Sequence, residues 1–183
     1  MLKLLKPSEI EVLSLAEVKA HLRLDHTCED DYLKTLIQAA TQSIEHSIEK
    51  SLIVKCWQLI WKPSSIRSSS ITIPLLYPPL YKVISVKKII SRHYQPLIEN
   101  YFLETDFITP RLICPWTSHS IEIIYQSGYG ETPKSIPADI RQAILIKIAD
   151  LYENRTSHSL DHPSNSEMMI RDLLKAYRNV GLR

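Results

Sequence analysis

Glycine is nearly missing from this chain: three residues in 183, set against eleven prolines. Phosphate-cradling loops are built on closely spaced glycines, so nucleotide-loop chemistry is disfavoured and proline-stiffened connections are expected. Cysteine is equally sparse. Cys28, Cys56 and Cys114 are odd in number, far apart and outside any CxxC pattern. Disulfide scaffolds and zinc sites need paired or clustered thiols, which leaves buried free thiols as the expectation. No charge of one sign dominates either: 22 basic residues meet 20 acidic ones, for a net charge of +2. Nucleic-acid binders normally carry a concentrated basic face, and this balance argues against one. No apolar run approaches the ~20 residues that span a bilayer. The opening MLKLLKPSEIEV has no apolar core of useful length and no small-residue cleavage site, so a cytoplasmic chain without membrane attachment is expected.

Against these absences, 44% of the residues are hydrophobic, enough for a real core, and the length suits one domain. The most informative stretch is IEIIYQSGYGETPKSIPADIRQAILIKIADLYENR, Ile121 to Arg155. Its first residues are β-branched and aromatic, and Gly128 and Gly130 then permit a tight turn. Pro137 has the fixed φ suited to a first helical turn, with Ser135 and Asp139 placed to favour the free amide end. Ile140, Ile144, Ile148, Leu151 and Tyr152, with the apolar residues between them, surround most of the helix axis. A helix without a clear polar face is buried, either in a core or against another subunit.

The remainder falls into three zones. Ser14 and Glu17 form an S-x-x-E capping box, with Leu13 and Val18 placed as a hydrophobic staple on a short helix ending near Asp25. A longer helix follows, with Thr27 as its expected cap and Glu29, Asp30 and Asp31 in the first turn; Leu33, Leu36, Ile37, Ala40, Ile44 and Ile48 repeat at helical spacing. The middle changes period. Short β-rich runs at Leu52–Trp61, Ile71–Ile73, Val83–Ile90, Tyr101–Leu103, Arg111–Cys114 and Ile121–Tyr125 are separated by proline or polar clusters. A last helix opens on a second capping box, Ser164 and Glu167, and carries Ile170, Leu173, Leu174, Tyr177 and Val180 on one stripe, with Gly181 as terminator. The expected architecture is α+β: an N-terminal helical hairpin, a central small antiparallel β-sheet or sandwich insertion, and two C-terminal helices. It is read as a single domain, 1–183, with helices in 14–50, β structure in 52–126 and helices in 136–181.

Reactive groups are hard to find. His158 and His162 are four apart with Asp161 between them, but they lie in a loop ended by Pro163, so a solvated loop is preferred to a metal site. His21, Asp25 and His26 read as a solvated helix end. There is no GxSxG elbow and no paired-carboxylate motif, and the GYG at 128–130 is a turn before it is a nucleotide loop. No catalytic, metal or cofactor site is assigned. A small hydrolase or ligand-binding domain stays open only because triads leave no spacing signature, and a nucleic-acid module is a similar outsider. Arg171, Lys175 and Arg178 can fall along one side of the last helix, as a solvated face or as an electrostatic dock for an acidic partner. Trp57, Trp61 and Trp116 read as core or interface anchors.

Four segments in order carry a resemblance. They are SLAEVKAHLRLD (14–25), ITIPLLYPPLYKVISVKKI (71–89), IYQSGYGETPKSIPADIRQAILIKIADLYENR (124–155) and MIRDLLKAYRNVGL (169–182). In this order and spacing the chain resembles the head–tail connector (adaptor) proteins of long-tailed bacteriophages and related bacterial gene transfer agents. It departs from the family pattern at 63–70 and 154–163. The resemblance implies a structural virion protein without enzymatic activity or cofactors. Such a protein forms a ring, usually dodecameric, under the portal and joins the DNA-filled head to the tail. Its implied partners are the portal protein, tail or stopper proteins and copies of itself, with DNA passing through the channel without specific binding. The implied place is the neck of a phage, prophage or transfer-agent particle, after a period in the bacterial cytoplasm. By the same analogy Met168, Arg171, Leu174, Lys175, Tyr177 and Arg178 belong to the portal-docking element. Another neck component, a stopper or tail terminator, is the nearest alternative.

Overall fold

The computed structural model describes residues 1–63, 69–90, 93–96, 101–105, 109–115, 117–154 and 165–178. They form two compact units, one built from 1–9 and 50–131, the other from 10–49 and 132–183.

The first unit is β structure. Its strands are β1 (Leu2–Lys6), β2 (Lys55–Trp61), β3 (Ser70–Pro74), β4 (Leu80–Ile90), β5 (His93–Pro96), β6 (Phe102–Glu104), β7 (Arg111–Pro115) and β8 (Ser120–Ser127). A five-stranded sheet runs β1-β2-β8-β4-β5 and a three-stranded sheet runs β3-β7-β6, with antiparallel pairing throughout both. The two-residue period of β8 sends Ile121, Ile123 and Tyr125 to one face, where they meet Leu59 and Val86 of the same sheet and Ile71, Ile73, Leu112 and Cys114 of the other. This shared core makes the unit a sandwich. Every predicted β-run overlaps an observed strand. Two strands had no signal: LKLLK is a poor strand former that pairs along β2, and HYQP is four residues at the opposite edge.

The GYG turn does more than reverse the chain. The Gly128 amide donates to Pro79 O (2.9 Å), the Tyr129 amide to Leu52 O (3.1 Å), and Gly130 O accepts from the Val54 amide (3.1 Å). Residues 52–54, expected as strand, lie against this turn through a parallel Ile53–Gly130 bridge. Gly128 has φ +147°, and a Cβ there would sit 2.6 Å from the Ile53 carbonyl carbon and the Val54 nitrogen, so only glycine fits.

The second unit is helical: α1 (Leu15–Leu22), α2 (Asp30–Ile48), α3 (Ala138–Glu153) and α4 (Asn165–Leu174). The capping box forms as read, with the Ser14 hydroxyl accepting from the Glu17 amide (3.3 Å) and Glu17 accepting from the Ser14 amide (2.9 Å). Two other expected caps are replaced. Thr27 contributes its carbonyl to a turn with the Asp30 amide (3.3 Å), and Glu29 holds the N-cap position of α2 without a side-chain cap bond. Pro137 is likewise the N-cap of α3, in extended conformation, while Ser135 ends a separate 3₁₀ turn (Pro133–Ser135) and meets Thr132. With glycine so scarce, α1 and α2 end on left-handed Arg23 (φ 56°) and Glu49 (φ 54°), each costing on the order of 1 kcal/mol of backbone strain. α3 packs against α1, α2 and α4. The core of this unit gathers Val18, Leu33, Ile37, Ala40, Ile44 and Ile48 with Ile140, Ala143, Ile144 and Ile148.

Candidate functional site

The wide apolar girth of α3 is covered within the chain. Ile140, Ile144 and Ile148, four apart along one stripe, have no solvent exposure. Leu151 and Tyr152 are half-buried; the Tyr152 ring lies 6.3 Å from Tyr32, and its hydroxyl donates to Glu29. The isoleucines are therefore core residues of the protomer.

Within the helical unit, α4 is fastened to α3 at both ends. Near the end of α3, the buried Asp150 carboxylate accepts from the Ser166 hydroxyl (2.9 Å), from Asn154 Nδ2 (3.3 Å) and from Lys147 Nζ (3.5 Å). At the start of α3, Asp139 accepts from the Tyr177 hydroxyl (3.2 Å). Partial burial raises the Tyr177 phenol pKa, and the Asp139 hydrogen bond and charge raise it further. Of the six residues read as a docking element, Leu174 is fully buried and anchors the helix, and Tyr177 is half-buried. Met168, Arg171, Lys175 and Arg178 are exposed, as is Met169. The exposed side of α4 and the turn after it thus carries three basic residues, two acids (Glu167 and Asp172) and two methionines. Arg171 and Arg178 face a groove of about 180 Å³ that Lys147 of α3 and Ser43 and Ser47 of α2 also line.

The remaining candidates stand apart from any such gathering. His21, Asp25 and His26 are exposed. Cys28 is exposed, against the expectation of burial, while Cys56 is half-buried and Cys114 buried. Burial pushes both of the latter thiols above their ordinary pKa, away from the nucleophilic thiolate. Trp57 and Trp61 pack on the sandwich core, and Trp57 stacks on Tyr77 with ring centroids 4.6 Å apart. Trp116, His158, Asp161, His162, Ser164, Val180 and Gly181 lie outside the described residues. Among the described residues no cluster of three His, Cys, Asp or Glu could hold a metal, and no helix is long and apolar enough to cross a membrane. Sequence reasoning missed Asp150, whose only signal was one acid inside the apolar run IKIADLY. It also missed Lys147, Ser43 and Ser47, which look like ordinary surface residues until α4 lies across them.

The four helices, the inserted sandwich and the fastened α4 are the setting for the comparison with known proteins. A family model of phage gp6-like head-tail connector proteins matches residues 12–101. A comparison with curated proteins finds no match. Among solved structures, the fold is similar to a chain in the neck of an empty GTA particle computed with C6 symmetry, at TM-score 0.84 and 23% identity. It is similar to a chain in the virion of a native gene transfer agent particle at 0.82 and 24%, and to one in the neck of a native GTA particle computed with C12 symmetry at 0.81 and 22%. Each match covers 100% of this chain and 97% of the other. The likeness therefore includes the C-terminal helices that lie beyond the family match.

Proposed function

We propose that the whole chain, 1–183, acts as one head–tail connector in the neck of a phage-like particle, joining the DNA-filled head to the tail. The observation that carries this reading is the gp6-like connector match over residues 12–101, inside a fold that is similar end to end to neck chains of gene transfer agent particles. The chain works by assembly, as a structural protein and not as an enzyme, and passes from the bacterial cytoplasm into the virion. Copies of it form a ring, in keeping with the C6 and C12 symmetries of the necks that hold similar chains. A closed ring needs heterologous contacts, one face of each subunit against a different face of the next. Because Ile140, Ile144 and Ile148 are occupied in the protomer core, those contacts come from other surfaces. α4 meets the portal protein through Met168, Arg171, Lys175 and Arg178, with Leu174 and Tyr177 setting its orientation. Tail or stopper proteins dock on the ring, and DNA passes through its channel.

The test is electron microscopy of particles assembled with and without this chain. Filled heads without tails are expected in its absence. Normal tailed particles would overturn the reading.

A further inference from the structure

The groove beside α4 has a chemistry more specific than a basic face. Arg171 and Arg178 stand on one side of it and Lys147 on another. Lys147 is shared with Asp150 at 3.5 Å, which leaves the two guanidinium groups to set the groove's charge. Ser43 and Ser47, four apart on α2, present hydroxyls along the same wall; the Ser47 proton is given to Ile44 O (2.9 Å), so Ser43 is the hydroxyl donor to a guest. Ile44 and Ile170 supply apolar lining, and Glu167 adds one negative charge.

Resting on the reading of α4 as the docking element, we propose that this groove seats an acidic segment of the docking partner. One carboxylate lies between Arg171 and Arg178, and a neighbouring apolar side chain lies on the half-buried Ile170. Guanidinium forks match carboxylates bidentately, and partial desolvation in a groove strengthens such a pair. A nucleic-acid backbone fits less well. Its closely spaced phosphates would be driven against Glu167, and Ile170 would gain no partner.

The test follows backbone amide NMR shifts of the full chain on adding a short peptide with two glutamates flanked by leucines. The same peptide with glutamines and a short duplex DNA serve as comparisons. The glutamate peptide should shift the amides of Ser43, Ser47, Lys147 and Arg171, and bind at least about tenfold more tightly than the glutamine form. The R171Q/R178Q double variant should lose that preference at unchanged melting temperature, since both side chains are exposed. Equal binding of both peptides, or an unmoved groove at millimolar peptide, overturns the proposal. So does duplex DNA shifting the same amides more strongly, or a concentration-dependent shift without peptide, which would assign the groove to a second copy. Portal binding separates the two levels. If the wild type and the double variant bind portal equally, the groove assignment fails while the connector reading stands. If particles without the chain are normally tailed, the connector reading fails whatever the peptide does.

Discussion

Arg141 ties the segment 12–17 to the turn that precedes its own helix, more than a hundred residues later in the sequence. One guanidinium nitrogen donates to Val12 O (3.1 Å) and Pro133 O (3.2 Å), and the other pairs with Glu17 of the α1 capping box. Glu17 therefore caps a helix and receives a tertiary ion pair with one carboxylate. The Ser14 amide and then the Ser14 hydroxyl hold its pKa below the ordinary 4.5; burial opposes them, and the charge and hydrogen bond of Arg141 add lesser lowering effects. A carboxylate whose folded-state pKa is depressed contributes stability above its unfolded pKa and loses it as pH falls through the folded value. Urea unfolding at a series of pH values should show an acid limb below about pH 4.5 that flattens in E17Q. Glutamine keeps the capping bond, so the variant isolates the charge. At neutral pH the cost should stay under about 1 kcal/mol, because the pair is half exposed to solvent. An unchanged acid limb would count against this role. The S-x-x-E box was legible because its partners are three residues apart. Arg141 was not, because Glu17 is brought to it by the fold. Thr27 and Ser135 misled for a related reason: each has the right chemistry for a cap, but a local turn claims its position before the helix begins.

Whole elements were legible where period and length agreed. α2 is long and strongly patterned, α3 is long and apolar around most of its axis, and the middle runs are short and β-rich, so both kinds declared themselves. β1 did not, because its strand state comes from β2: Leu2 pairs with Leu59, and Lys3 with Gln58. The residues of α4 were legible as an amphipathic helix, but its fastening to α3 was not. That fastening depends on Asp150, an acid that burial would penalise without its hydroxyl, amide and ammonium donors. Removing the Ser166 hydroxyl should loosen α4 locally. In S166A, native-state hydrogen exchange should show α4 amides losing on the order of 1.5 kcal/mol of protection, the worth of a hydrogen bond to a charged acceptor. Amides in the middle of α2 should change much less. Equal losses in both helices would mean that the bond supports the unit globally and does not hold one helix in place.

For the chain as a whole, element order was enough for the α+β class, with an all-antiparallel sandwich inserted between helices. The division into two compact units was not readable, since residues 1–9 join the β unit only through pairing with strands far along the chain. Net charge, by contrast, is fully legible, and it bears on the proposed channel. A ring that DNA must traverse works against itself if it holds phosphates, and nonspecific affinity grows with each phosphate neutralised. Here 22 basic residues are offset by 20 acidic ones, and Lys19, Lys34, Arg141 and Lys147 are already paired with carboxylates. Fluorescence anisotropy of a labelled duplex should therefore show binding weaker than about 10⁻⁴ M at physiological salt, with a shallow salt dependence. Micromolar binding with a steep salt slope would mean that several cations converge on one face. Such a face would hold DNA, and the proposal of free passage through the ring would have to be abandoned.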